Sequence, residues 1–337
     1  MNENKRPFPG IELHLHLDGA MTPEMLLQLA AIDGVSLPAD TPETLEPFVT
    51  VDETCTSLID YLNRFDVTLR VMQSARAVSE AVRLLLCRLA AQGTIYAEIR
   101  FAPQLHRQRG LSQREVVQAA LYGLNAGLSE NPGMRAQLIL CCMRLDDNKE
   151  ENMETIRMAK EFLGKGVCAC DLAGGEIGHP ATAYADVFAL ATVLGVPYTI
   201  HGGEACGPES VREALEIGAC RIGHGVHAIE DEALMTLLAE KKIPLEMCPT
   251  SNLHTKAVRS LAEYPVREFL RRGIRATLNT DNPGISRTTN EQEFSALARE
   301  AGLTADETRT LLHNAADAAF LPPAEREALK ALIDERL

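Results

Sequence analysis

A (β/α)8 barrel of the α/β class is predicted by three features of this 337-residue chain. Short apolar, β-branched segments recur eight times, helical stretches separate them, and polar residues capable of chemistry collect where those segments end. A doubly wound open sheet would place a Gly-rich phosphate loop after its first strand, and this chain has none there. The length accommodates one barrel of about 250 residues with additions. The expectation is therefore a single barrel domain, 1–337, with a helical insertion after strand 1 and extra C-terminal helices.

The first strand is read at 10–17. Thr22-Pro23-Glu24 then opens a helix with an N-cap hydroxyl, a proline at the first helical position and an acid at the positive end of the dipole; the helix stops near Gly34. Residues 35–70, punctuated by Pro and Thr and then apolar and periodic, read as an insertion over the barrel mouth, followed by a helix over 76–91. Further strands are expected at 94–101, 136–143, 166–172, 197–201, 221–223, 243–248 and 274–280. Ser112 with Glu115 and Thr289 with Gln292 have capping-box spacing. Gly93, Gly195, Gly218 and Gly273 fall where a left-handed helix end is wanted. Helices over 304–319 and 323–337 are expected to pack outside the barrel.

Composition excludes several classes of function. A net charge of -14 disfavours nucleic acid and anionic membranes as partners, because affinity for a phosphate backbone comes from Lys and Arg. The opening residues hold no apolar run long enough for a signal peptide, and no stretch of about 18 apolar residues could span a bilayer. A cytoplasmic protein is expected. Nine cysteines, without a Cys-x-x-Cys pair, read as reduced, buried, small apolar residues.

The first strand ends in Glu12-Leu13-His14-Leu15-His16-Leu17-Asp18-Gly19. Strand alternation puts His14 and His16 on one face and the leucines on the other. Working residues of such barrels sit at the C-terminal strand ends. Asp171, His201, His224 and Asp281 end the predicted strands 4, 5, 6 and 8, so several ligand-type side chains share one rim. Imidazoles plus a carboxylate suit Zn²⁺ with a position left for water. His106, His179, His254 and His313 lie in predicted loops or helices and read as surface or capping residues; His227 is left out of the site.

Five ordered motifs then carry a resemblance. His14-Leu15-His16-Leu17-Asp18-Gly19, His201-Gly202-Gly203-Glu204, Arg221-Ile222-Gly223-His224-Gly225, Cys248-Pro249-Thr250-Ser251-Asn252 and Asn279-Thr280-Asp281-Asn282-Pro283 resemble, in order and spacing, the adenosine deaminase family of metal-dependent hydrolases. The resemblance implies one Zn²⁺ per chain, held by His14, His16, His201 and Asp281, that lowers the pKa of a bound water toward ~7 and so creates hydroxide to attack C6 of the purine. Glu204, one helical step past His201, would protonate ring N1. His224 would hydrogen-bond the attacking water and, with Asp281, manage its proton. The Gly174 N–H would meet N3, Asp18 would accept from the ribose hydroxyls, and His16 and Asn282 would also face the substrate.

Two departures from the family pattern matter. Asn282 stands where a second acid is common, and an amide N–H is a sound partner for N7, an acceptor. Gly175 stands where an acid is frequent, so any interaction made there is absent. The implied function is hydrolytic deamination of adenosine, and of 2′-deoxyadenosine, to an inosine and ammonia. An adenine or modified-adenosine deaminase on the same scaffold is the alternative; Asp18 favours a nucleoside, because a short carboxylate leaves room for ribose. Two-metal relatives bridge their ions with a strand-4 lysine that this chain lacks. Deaminases of polynucleotides use His-x-Glu with Pro-Cys-x-x-Cys, also absent.

Overall fold

Eight parallel strands follow one another in the computed structural model, which describes residues 7–52 and 54–337 and, of residue 59, only the backbone. Residues 1–6, part of the stretch read as lacking a leader, lie outside the described residues. One sheet holds β1 (Ile11–His16), β2 (Tyr96–Phe101), β3 (Arg135–Met143) and β4 (Val167–Ala173) in that order. The other holds β5 (Thr199–Gly202), β6 (Arg221–His224), β7 (Leu245–Met247) and β8 (Ala276–Leu278). Backbone bonds join the two sheets at both seams. Cys170 N donates to Pro197 O at 2.9 Å, His16 N to Asp281 O at 2.8 Å, and Asp281 N to His14 O at 2.9 Å. The strands thus run around a ring, as the alternating pattern predicts.

The helices are α1 (Pro23–Asp33), α2 (Pro42–Val49), α3 (Leu58–Leu62), α4 (Phe65–Arg70), α5 (Ala75–Ala91), α6 (Gln113–Glu130), α7 (Lys149–Phe162) and α8 (Ala185–Leu194). They continue with α9 (Pro208–Glu216), α10 (Glu232–Lys241), α11 (Pro249–His254), α12 (Val266–Arg271), α13 (Asn290–Glu300), α14 (Ala305–Ala318) and α15 (Pro323–Arg336). Their starts follow local chemistry. Thr22 caps α1 with Pro23 at its first position, and Gly34 ends it at φ 63°. Ser112 and Glu115 form the reciprocal box before α6. Thr289 accepts from the Gln292 N–H, which is one half of the box expected there.

Strand alternation sends Ile11, Leu13 and Leu15 into the aliphatic layer shared with the helices. The opposite face of the strands is unusually polar. Arg100 donates to Asp171 (3.0 Å), Glu246 (2.8 Å) and the Leu13 carbonyl (2.6 Å), all fully buried. Below it, Arg221 pairs with Glu98 at 2.7 Å and Glu246 at 2.6 Å. Buried charges are tolerated only when paired and hydrogen-bonded, so this stack fixes strand positions from within.

The C-terminal segment departs from the expectation of outer packing alone. The α14 helix packs on the barrel, but the chain beyond it turns under the strands. There the Ala318 carbonyl accepts from Arg221, the Phe320 N–H donates to Glu98, and the Phe320 ring lies 3.9 Å from the Arg221 guanidinium carbon. The cysteines are all free thiols, and six are buried as expected, but Cys87 and Cys206 are half-buried and Cys220 is exposed. Among the described residues no helix is long and apolar enough to cross a membrane.

Candidate active site

The ring of strand ends brings the two histidines of β1 together with residues far along the chain. His14 Nδ1 lies 2.9 Å from Glu246 Oε2, and its Nε2 lies 3.4 Å from Asp281 Oδ1. His16 Nε2 lies 3.2 Å from His201 Nε2 and 3.4 Å from Asp281 Oδ1. His201 Nδ1 in turn lies 3.1 Å from Asp171 Oδ1. An ionised carboxylate can only accept, so His14 and His201 donate their Nδ1–H outward and turn Nε2 lone pairs inward. Asp281 Oδ2 accepts from the Ser251 hydroxyl at 2.6 Å, which leaves Oδ1 facing the imidazoles.

This donor set fits a cation. A tetrahedral ion with bonds of about 2.0–2.2 Å needs donor atoms roughly 3.3–3.6 Å apart, and the His16–His201, His14–Asp281 and His16–Asp281 separations are 3.2, 3.4 and 3.4 Å. Among the described residues, the buried His14 Nε2 meets no hydrogen-bond partner. His14, His16 and Asp281 offer ligand atoms within 4.8 Å of one another, as do His14, His201 and His224. Burial pushes the pKa of His16 and His201 down, toward the neutral form that ligates. Burial and Arg100 also press down on His14, yet the neighbouring Asp281 and Glu246 carboxylates raise it, so this position favours positive charge beside it. Burial raises Asp281, but His14 beside it and then His16 and His224 hold it well below the usual carboxylate range.

Two strand ends owe their aim to backbone rarely adopted by residues other than glycine. His224, the last residue of β6, has φ 61°, and Asp281, three residues beyond β8, has φ 59°. Asp171 differs from expectation: it lies inside β4, fully buried, and touches the site through His201 and Arg100. Glu204 is likewise not on a helix. It occupies the loop between β5 and α9, where Glu176 accepts from the Glu204 N–H at 3.0 Å and from the Cys206 N–H at 3.1 Å. Burial first, then the charges of Asp281 and Glu176, push the Glu204 carboxyl well up. His224 Nε2 lies 3.5 Å from Glu204 Oε2.

Above these groups is a cavity of about 260 Å³, with His16, His201, His224, Glu204 and Asp281 in its wall. Leu58, Tyr61, Leu62, Phe65 and Leu69 of α3 and α4 form an apolar side of it, so the inserted segment covers the mouth as its sequence suggests. Asp18, Gly174 and Asn282 also line it. Asp18 Oδ1 and Asn282 Oδ1 are buried and have no partner among the described residues, and burial raises the Asp18 carboxyl to about 6. Gly174 sits at φ 99°. Gly19 is required by close approach, since a Cβ there would lie 1.8 Å from Asn282 Oδ1.

Of the remaining histidines, His179, His254 and His313 are partly exposed, while His227 bonds Glu230 at 2.8 Å. His106 contradicts its surface reading: it is fully buried, with Nδ1–H donating to the Met72 carbonyl at 2.9 Å. Its short helical turn is folded inward beneath the insertion, which local sequence does not signal. Sequence reasoning passed over Arg100, Glu176 and Glu246, and quoted Ser251 and Asn252 without a role. An acid inside the apolar segment 243–248 was the available signal for Glu246.

The sequence matches the adenosine deaminase family over residues 9–336. An adenosine deaminase of Haemophilus ducreyi is 50% identical over 329 residues, covering 97% of this chain and 96% of that one. One of Enterococcus faecalis is 41% identical over 336 residues, covering 99% of each. Among solved structures, the adenine deaminase from Arthrobacter aurescens is similar with a TM-score of 0.89 at 27% identity, covering 98% of each chain.

Proposed function

The chain belongs to the adenosine deaminase family, and on that premise we propose that it is a zinc-dependent aminohydrolase converting adenosine and water to inosine and ammonia. Its second substrate in this reading is 2′-deoxyadenosine. The observation that carries the proposal is a cavity bordered by a cation-type donor set and by a buried carboxyl, Glu204, that burial and neighbouring acids push toward its neutral form. His14, His16, His201 and Asp281 would hold a single Zn²⁺, the ion suited to three imidazoles and one carboxylate. When bound there, such an ion supplies a lowered water pKa and so a nucleophile at neutral pH.

The chain's own residues do the rest. Glu204, protonated at rest, gives its proton to purine N1 as C6 becomes tetrahedral. His224 donates a hydrogen bond to the incoming water oxygen; Asp281 takes the water's proton and passes it to the amine, which leaves C6 as ammonia. Asn282 donates its amide N–H to N7, the Gly174 N–H meets N3, and Asp18 accepts from a ribose hydroxyl. His16 borders the substrate as well as the ion. The apolar side chains of α3 and α4 exclude bulk water from this chemistry.

The proposal treats residues 1–337 as one barrel domain, supported by the family match over 9–336. It places the protein in the cytoplasm, a setting that nine free thiols favour. Partners are small purine nucleosides, with no role for nucleic acid or membrane. The likeness to an adenine deaminase supplies the competing reading. Ammonia release and the fall in purine absorbance are to be followed with adenosine, 2′-deoxyadenosine, adenine and an S-adenosyl-type nucleoside. Turnover of the first two is expected. Turnover of adenine alone would transfer the assignment to the competing reading.

A further inference from the structure

Of the clustered imidazoles His14, His201 and His224, His224 has, among the described residues, an amide rather than a carboxylate behind its ring. Asn252 Nδ2 lies 3.1 Å from His224 Nδ1, whereas Glu246 stands behind His14 and Asp171 behind His201. The orientation of that amide is set by a third residue. The Tyr264 hydroxyl donates to Asn252 Oδ1 at 2.8 Å, and this leaves Nδ2, a donor, as the atom facing the imidazole. Tyr264 has its proton to give, because burial pushes its pKa well up. The neighbouring backbone holds Asn252 in place from both directions, with its N–H on the Cys248 carbonyl at 2.9 Å and its carbonyl accepting from Val258 N at 3.1 Å.

We propose that Asn252 is a positioning residue that holds His224 as the Nε2–H tautomer, so that this one imidazole turns a donor to the cavity while His14 and His201 turn acceptor nitrogens toward the cation-type donor set. A neutral imidazole has one N–H and one lone pair. With Nδ1 accepting from Asn252, the proton resides on Nε2. The 3.5 Å to Glu204 Oε2 is too long to consume that N–H, which is left available to an oxygen bound in the cavity. The same argument divides two roles that residue type cannot separate. His224 lies within ligand range of His14 and His201, yet an Nε2 that carries hydrogen cannot ligate a cation. Asn252 thereby keeps His224 out of the donor set and in position to stabilise the attacking oxygen.

The consequence for turnover rests on the deaminase reading; the tautomer does not, and the experiment reads the two separately. Long-range ¹H–¹⁵N correlation spectra of the Zn²⁺-loaded protein labelled at histidine nitrogen distinguish protonated from bare ring nitrogens, with His224 assigned by the loss of its signals in His224→Asn. The parent is expected to show Nε2–H at His224. Asn252→Asp is close to isosteric but presents an acceptor, so the proton moves to Nδ1, and kcat falls by roughly 10²- to 10⁴-fold, the range seen when a catalytic imidazole is held in the wrong tautomer or an oxyanion loses a donor. Asn252→Ala only leaves the tautomer unspecified, and a loss of about tenfold is expected. A role in packing alone predicts the opposite ranking, with Ala worse than Asp and Nε2–H retained in both. Either that ranking, or Nδ1–H at His224 in the parent, overturns the proposal. A parent with the expected tautomer but no activity on adenosine would sink the deaminase reading and leave the tautomer assignment standing.

Discussion

His16 Nε2 and His201 Nε2 face each other at 3.2 Å although 185 residues separate them in the chain. Asp171 commits the far nitrogen of His201, so the facing atom of that ring carries a lone pair, and a cation between the two rings satisfies both. His16→Ala removes one of these donors without touching the buried Arg100 stack. Metal affinity is expected to fall at least 10- to 100-fold, the loss that even a residue behind the ligands can produce, with activity falling alongside. Metal analysis after dialysis against a weak chelator checks this.

Glu204→Gln separates the proton donor from the metal centre. The amide keeps the shape and leaves all four proposed ligands in place. Bound metal is expected at the parental stoichiometry, and kcat lower by about 10²- to 10⁴-fold. Ammonia release at near-parental rate would remove Glu204 from the mechanism.

Gly19→Ala tests the placement of Asn282. The added methyl would sit 1.8 Å from Asn282 Oδ1, so the amide must shift from the place it holds in the cavity wall. A drop of roughly tenfold in kcat/KM for adenosine, the worth of about one hydrogen bond, is expected with metal content unchanged. Inosine product affinity measured by titration should weaken in parallel.

His106 gives the fold a pH dependence remote from the cavity floor. Burial lowers its pKa from 6.5 to about 4, while the Met72 hydrogen bond opposes this. Between those values the unfolded chain binds the proton and the folded chain does not. Stability is therefore complete above about pH 6.5 and lost as pH falls toward 4, by up to about 3 kcal/mol at 1.36 kcal/mol per unit. His106→Gln keeps an N–H for the Met72 carbonyl but does not titrate. Denaturant unfolding followed from pH 7 to 4.5 is expected to show a flatter decline in the variant than in the parent.

The ring of strands and the strand-end histidines were legible because each signal is local: alternation within 12–18, a polar residue closing an apolar segment, a helix cap three residues before its partner. The structure brings His14, His16 and Asp281, and His14, His201 and His224, within reach of one another. What was not legible depends on where distant segments meet. Glu246 reads as an isolated acid until β7 is laid between Arg100, Arg221 and His14. Asn252 closes a motif without a role of its own until Tyr264 orients its amide. The inward position of His106 and the turn of Phe320 beneath the barrel are likewise products of packing, with no periodicity to announce them.

The most direct test is anomalous diffraction at the zinc edge from crystals of the Zn²⁺-loaded protein, on material whose adenosine turnover has been measured. One peak per chain is predicted, within about 2.0–2.2 Å of donor atoms of His14, His16, His201 and Asp281, and outside bonding distance of His224 Nε2. An active preparation with no peak among those four residues, or with its metal bound elsewhere, would contradict the account.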